Sequence, residues 1–355
     1  MVNPPFSYDK IAAGDSILGR EAEIAFIDDL LEKSGRSLAL YGGPRSGKET
    51  LVTEALERWR RRHPNLILCR IDLFNIRTLE AFTAIWRQQM KVCAQEVNRH
   101  SLLPFDIAID EIADEKVFDL PGVIASEASA PMVVWFKEFQ NLLSVESDTF
   151  RLERLDRAWS RQRDVRYLFT GSSINAMKGI FEDRKCFYGM SRTMELLPPD
   201  RKCVCDYIRN TFLQFGRVIE MEEAMAIHEI AGGNLWYVKQ LCDFCYSMPA
   251  GYVNRQIVNM ARDRLLSLHI PRFKAVMFDL TANQVNLLHA IVDGVRKFTS
   301  SEMMERYRLN SSAGVARVKE ALQKKEVITF DADDNARIID PLFEYWLRNY
   351  YFVSL

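Results

Sequence analysis

The sequence has no apolar run near the roughly 20 residues that a helix needs to cross a bilayer. Its first residues, MVNPPFSYDK, lack the basic-then-apolar order of a signal peptide. These absences point to a cytoplasmic protein with no membrane partner. No sign of charge is in excess either: 47 Lys+Arg stand against 48 Asp+Glu, a net charge of −1. That excludes a chain-wide basic field for nucleic acid and an acidic excess for cation buffering, so any nucleic-acid contact must be local. Internal repeats and low-complexity segments are lacking. The seven cysteines are an odd number set mostly in apolar stretches, such as NLILCRIDL around Cys69, which argues against a disulfide scaffold and for a reducing compartment. Cys203-x-Cys205 and Cys242-x-x-Cys245 have the count of a four-thiolate zinc site. The second pair lies in the helical pattern WYVKQLCDFCYSM, however, and no Gly or Pro knuckle surrounds either, so both read as core.

What is present, in a chain of 355 residues with room for two or three domains, is a phosphate-binding signature. Residues 38–53, LALYGGPRSGKETLVT, read as a buried strand, a glycine-rich loop and a helix. Gly42-x-x-x-x-Gly47-Lys48 satisfies most of the P-loop pattern, in which backbone N–H groups at a helix N-terminus cradle phosphates and the lysine reaches the outer ones. Gly42, Gly43, Pro44, Arg45, Ser46, Gly47 and Lys48 are therefore nucleotide-binding candidates. The last position departs from the pattern. A Ser or Thr hydroxyl normally follows the lysine and ligates Mg²⁺, whereas Glu49 follows it here and the Thr50 hydroxyl comes one residue late, about 100° round the helix.

Downstream, residues 66–74 read as a second buried strand, 79–97 as a helix, 131–136 (PMVVWF) as an apolar strand partnering the P-loop strand, and 165–173 as a strand with a hydroxyl-rich end. Residues 105–110, FDIAID, read as a short edge or hairpin strand. Strand–helix alternation implies a parallel sheet, with ligands at the carboxyl ends of its strands. From about Pro198 helical patterns dominate, Ala231-Gly-Gly-Asn234 marks a sharp interhelical turn, and three helices followed by a hairpin after Thr281 give a winged-helix layout.

With these pieces in order, the sequence resembles the archaeal-type ATPases of the STAND branch of AAA-like P-loop proteins. The residues that carry the resemblance are Leu18-Gly-Arg-Glu21, the P-loop, Lys137-Glu-Phe-Gln140, Thr170-Gly-Ser-Ser173, Tyr188 to Arg192, the Gly-Gly-Asn turn at 232–234 and Asp340-Pro-Leu-Phe-Glu-Tyr-Trp346. The resemblance implies an α/β fold: a P-loop NTPase parallel sheet (1–197), an α-helical lid domain (198–275) and a C-terminal winged helix (276–355). It implies ATP or ADP as cofactor, with Gly19 and Arg20 near the adenine, Thr170 or Ser172 sensing the γ-phosphate, and Arg192 close to the nucleotide or a neighbouring subunit.

In the family a strand ends in Asp-Glu, the Asp holding Mg²⁺ and the Glu orienting water. Here the corresponding residues are Lys137-Glu138, so both Mg²⁺-handling positions have changed, to opposite charges. The Lys137 ammonium is expected to occupy the region of the missing cation, paired with Glu49 or a phosphate, which counts against Mg²⁺ and leaves Glu138 as the surviving hydrolytic group. Asp110-Glu111 offers a rival pair of carboxylates at the end of an apolar stretch. The leading expectation is a STAND-like ATP- or ADP-binding switch or pseudo-ATPase with slow or absent hydrolysis, acting on a protein partner or by self-association. A Mg²⁺-dependent ATPase using Glu49 or Asp110 is one alternative. A DNA-binding regulator reading with Arg317, Lys319, Lys324 and Lys325 is the other, although Glu320 and Glu326 interrupt that helix.

Overall fold

The computed structural model describes residues 5–8, 17–100, 107–147, 150–331 and 333–354. It divides into two compact units. One comprises Arg20–Pro44 and Lys48–Leu196; the other comprises Leu197–Leu355 together with the P-loop tip Arg45–Gly47 and the N-terminal residues up to Gly19.

The first unit is built on five parallel strands, β1 (Ser37–Tyr41), β2 (Ile67–Asp72), β3 (Met132–Lys137), β4 (Val165–Gly171) and β5 (Ser191–Glu195), in the order β2-β3-β4-β1-β5. Its helices are α1 (Glu21–Asp29), α2 (Lys48–Arg62), α3 (Leu79–His100), α4 (Leu120–Ala128), α5 (Leu152–Trp159) and α6 (Ile174–Lys178). SLALY and MVVWF form central strands because every one of those residues is buried, and a sheet covered on both faces favours unbroken apolar runs. The core is aromatic: Trp86, Phe136, Trp159, Tyr167 and Phe169 are buried, with Trp159 stacked on Tyr167 at 4.6 Å and on Phe136 at 5.2 Å between ring centroids. Each such side chain contributes about 1.5–3 kcal/mol on burial.

Two sequence expectations change here, and one strand has no counterpart among the expected elements. β3 does not pair with β1, because β4, which comes later in the chain, lies between them and hydrogen-bonds to both. The polar edge strand β5, SRTME, gives no apolar signal. Of the expected strand at 105–110, residues 105 and 106 lie outside the described residues, and Ile109–Glu111 is a 3-10 turn.

The second unit is helical: α7 (Arg201–Gln214), α8 (Met221–Ala231), α9 (Leu235–Ser247) and α10 (Arg255–Phe278), with β6 (Val218–Ile219) and β7 (Tyr252–Val253) forming a small parallel pair. Cys205, Cys242 and Cys245 are buried in this core. The winged helix follows as α11 (Ala282–Val292), α12 (Ser301–Arg306), α13 (Ser312–Lys324), the antiparallel hairpin β8 (Ile328–Phe330) and β9 (Ala336–Ile338), and α14 (Pro341–Trp346). The boundary expected at 275/276 falls inside α10, which runs unbroken through it. Gly232 closes α8 in the left-handed region at φ +53, and a Cβ there would lie 2.3 Å from the Pro341 Cβ, so the GGN turn and the DPLF segment fit together only with glycine at that position.

Candidate functional site

The site forms where β1 leaves the sheet. Tyr41 ends the strand, the chain turns through Gly42–Gly47, and α2 begins at Lys48. The turn uses two left-handed residues, Arg45 at φ 59 and Gly47 at φ 92; the second lies outside the region open to ordinary side chains. Lys48 is 8% exposed, and its ammonium donates to the carbonyls of Gly42 at 2.8 Å and Gly43 at 3.0 Å. Burial lowers its pKa from the ordinary lysine value to about 8, partly offset by the negative charge of Glu138.

Glu138 follows the last residue of β3 and adopts the left-handed conformation at φ 54, ψ 47, which costs a residue with a Cβ about 1–2 kcal/mol. That turn, and two donors to one carboxylate oxygen, fix the side chain: Gln140 Nε2 donates at 2.7 Å and the Ser172 hydroxyl donates from the end of β4. The Gln140 Oε1 is buried with no hydrogen-bond partner among the described residues.

Lys137 ends β3. Its ammonium donates to Glu49 at 2.8 Å and lies 3.7 Å from Asp72 at the end of β2. Burial works against the charge, but the hydrogen bond and the charge of Glu49, with Asp72 adding to both, outweigh it and raise the Lys137 pKa. The pair is 30% and 44% exposed. An ion pair so placed contributes only about 0.2–1 kcal/mol, so stability alone does not account for it.

These residues do not fit Mg²⁺. That ion requires near-octahedral oxygen ligands at about 2.0–2.1 Å and, in P-loop sites, a hydroxyl after the lysine and a strand-end Asp. Here the first position is a carboxylate already bonded to an ammonium, and the second is that ammonium. A divalent ion about 4 Å from the Lys137 ammonium would meet about 8 kcal/mol of repulsion at an effective dielectric of about 20. Among the described residues no group of three or more His, Cys, Asp or Glu side chains is arranged to hold a metal ion. Asp110, the rival carboxylate, sits in the 3-10 turn off the sheet and pairs with Lys91 at 2.7 Å.

The remaining candidates are dispersed. The Thr170 hydroxyl is buried, donates to the Phe136 carbonyl at 2.9 Å and accepts from the Trp135 indole at 3.1 Å. It fastens β4 to β3, and reaching a phosphate would break one of those bonds. Arg192 is exposed and paired in register with Leu38 near the start of β1, whereas Tyr41 at the loop end pairs with Glu195. Arg192 is thus at the wrong end of the strand for a nucleotide on its own P-loop, about 10 Å back along β1. Arg20 is buried at the start of α1 and pairs with Glu23 at 2.6 Å. Gly19 has φ +62, and a Cβ there would lie 2.9 Å from the Cys203 sulfur. The Arg45 guanidinium lies 3.6 Å over the Trp236 ring. Thr50 is half-buried in the first turn of α2. Sequence does not mark Asp72 and Gln140 as site residues; only their places at and just beyond the carboxyl ends of β2 and β3 signal them.

Comparison with known proteins adds the architecture. Residues 271–349 match the family model of a probable winged helix domain. The Walker-type ATPase PABY2304 of Pyrococcus abyssi superposes with a TM-score of 0.74 at 18% identity, covering 97% of this chain and 99% of that one. The Aeropyrum pernix ORC2 protein in ADPNP–ADP complexes gives a TM-score of 0.61 at 12% identity, over 99% and 98% of the two chains. The A. pernix ORC1 protein in complex with DNA gives 0.51 at 14% identity, over 99% and 97%. The fold is that of the AAA+-like, Walker-type P-loop ATPases. No curated protein matches this chain in sequence.

Proposed function

We propose that this protein is a nucleotide-operated switch of the STAND kind, which binds ATP or ADP at its P-loop and hydrolyses slowly or not at all. The observation that carries the reading is Lys48: an ammonium held at the head of α2 by two loop carbonyls, at the carboxyl end of a parallel sheet. A phosphate would exchange those carbonyls for a full negative charge, and the N-terminal N–H groups of α2 would complete the cradle. The fold shared with the A. pernix protein in ADPNP–ADP complexes supports adenine nucleotide as the ligand. Slow turnover follows from the group left to activate water. The Glu138 carboxylate is held by Ser172 and Gln140, and the two positions that hold the divalent ion in P-loop sites are here Glu49 and Lys137, bonded to one another.

Equilibrium binding of ATP and ADP to the native protein and to Lys48→Ala tests this reading. The variant is expected to lose binding while keeping its fold, and equal binding by both proteins would refute it. Phosphate release under saturating ATP is expected to be slow or absent, and turnover at about 1 s⁻¹ or faster, the ordinary range of enzymes, would restore the ATPase alternative.

The downstream surface is better suited to protein than to DNA. The outward residues of α13 alternate Arg317, Glu320 and Lys324, Lys319 lies over the rings of Phe298 and Phe330, and Lys325 pairs with Asp279. The hairpin tip carries Asp331, Asp333 and Asp334, where contact with a phosphate backbone would require cations.

A further inference from the structure

We propose that the Lys137 ammonium takes the place of the divalent cation, so that this site selects a nucleoside diphosphate free of metal. The inference rests on the nucleotide-binding reading above and specifies the ligand form. P-loop sites use a divalent ion to neutralise the outer phosphates, and the two positions that hold it in the related fold are here an anion and a cation bonded to one another at 2.8 Å. The Lys137 ammonium stands at the strand end where the ion would be held, 2.8 Å from Glu49 and 3.7 Å from Asp72, and offers phosphate an N–H donor there, although the two carboxylates offset its charge. Because Lys137 closes β3 and Glu49 lies in the first turn of α2, the charge is positioned by backbone elements that also position the phosphate cradle.

The charge balance sets the phosphate count. Lys48 and Lys137 face three carboxylates, Glu49, Asp72 and Glu138, so the side chains together carry one net negative charge. A metal-bound triphosphate brings its own compensation, but Lys137 excludes the metal. A metal-free triphosphate brings one more uncompensated negative charge than a diphosphate. The diphosphate is therefore the preferred ligand.

Calorimetric titration with ADP and with ATP, each in Mg²⁺ and in EDTA, decides the matter. The native protein is expected to bind ADP with the same affinity in both buffers, within about twofold, and to bind ADP about tenfold more tightly than ATP in EDTA. Lys137→Arg, which keeps the charge, is expected to retain metal-independent binding. Glu49→Thr/Lys137→Asp, which restores the hydroxyl and carboxylate of a metal site, is expected to bind at least about tenfold more weakly in EDTA and to recover in Mg²⁺. Native binding that weakens about tenfold or more in EDTA overturns the inference while leaving the nucleotide reading intact, as does tighter binding of metal-free ATP than ADP. No binding of either nucleotide by the native protein in either buffer overturns the nucleotide reading and this inference together.

Discussion

The depressed pKa of Lys48 makes nucleotide binding depend on pH in a way that can be worked out in advance. Burial places that pKa at about 8, so the free site is almost fully charged at pH 7 and charged in about one molecule in ten at pH 9. A phosphate ligand requires the ammonium. Observed affinity should therefore fall about tenfold, or about 1.4 kcal/mol, from pH 7 to pH 9, with about half a proton taken up per nucleotide at pH 8. Calorimetry in two buffers of different ionisation enthalpy reads both quantities. Lys48→Arg, charged throughout, should give a flat profile. Glu138→Gln removes the charge that raises the Lys48 pKa and should move the fall to lower pH. The free protein supplies a second reading of opposite sense. Unfolding restores the ordinary lysine pKa of 10.5, so between about pH 8 and that value the unfolded state binds more protons and native stability rises with pH, by up to about 3 kcal/mol relative to Lys48→Met. A native affinity that stays flat from pH 7 to pH 9 would refute the assignment of Lys48 as a buried, phosphate-binding ammonium.

Three further outcomes are expected. Thr170→Val should destabilise the protein by about 1–3 kcal/mol in denaturant titration, because it strands the Trp135 indole N–H and the Phe136 carbonyl inside the sheet; a neutral effect would return the hydroxyl to a nucleotide-sensing role. Gly232→Ala should cost about 2–4 kcal/mol, from the left-handed backbone and the collision with Pro341, and a loss below about 0.5 kcal/mol would contradict the close fit of that turn. Duplex DNA at low salt should give no salt-dependent mobility shift, and a shift that weakens steeply with salt would show that the winged helix engages phosphate despite its acidic hairpin.

Much of the architecture is legible in the sequence because its determinants are local. SLALY and MVVWF are unbroken apolar runs, the loop announces itself by glycine and lysine spacing, and α9 and α14 begin at Asn234 and Asp340, whose side chains accept from their first-turn N–H groups. The order of the strands is not local. Nothing within MVVWF shows that a later segment will insert between it and the P-loop strand, and β5 is too polar to register as a strand. The site divides in the same way. Opposite charges at the two metal positions make Glu49 and Lys137 readable as a pair, since each departs from a pattern. Asp72 and Gln140 depart from nothing and acquire meaning only when strand ends converge. Arg192 fails as a partner for its own P-loop because strand register, invisible in sequence, places it beside the start of β1 instead of its end.

Whether this P-loop binds nucleotide with a lysine where a metal would stand is read from thermal or chemical unfolding of the native protein with ADP, in EDTA and then in Mg²⁺. At ADP about one hundredfold above its dissociation constant, unfolding of the nucleotide-binding unit should cost about 2.7 kcal/mol more than without ligand, equally in both buffers. Stabilisation by ADP that appears in Mg²⁺ and vanishes in EDTA would contradict the account.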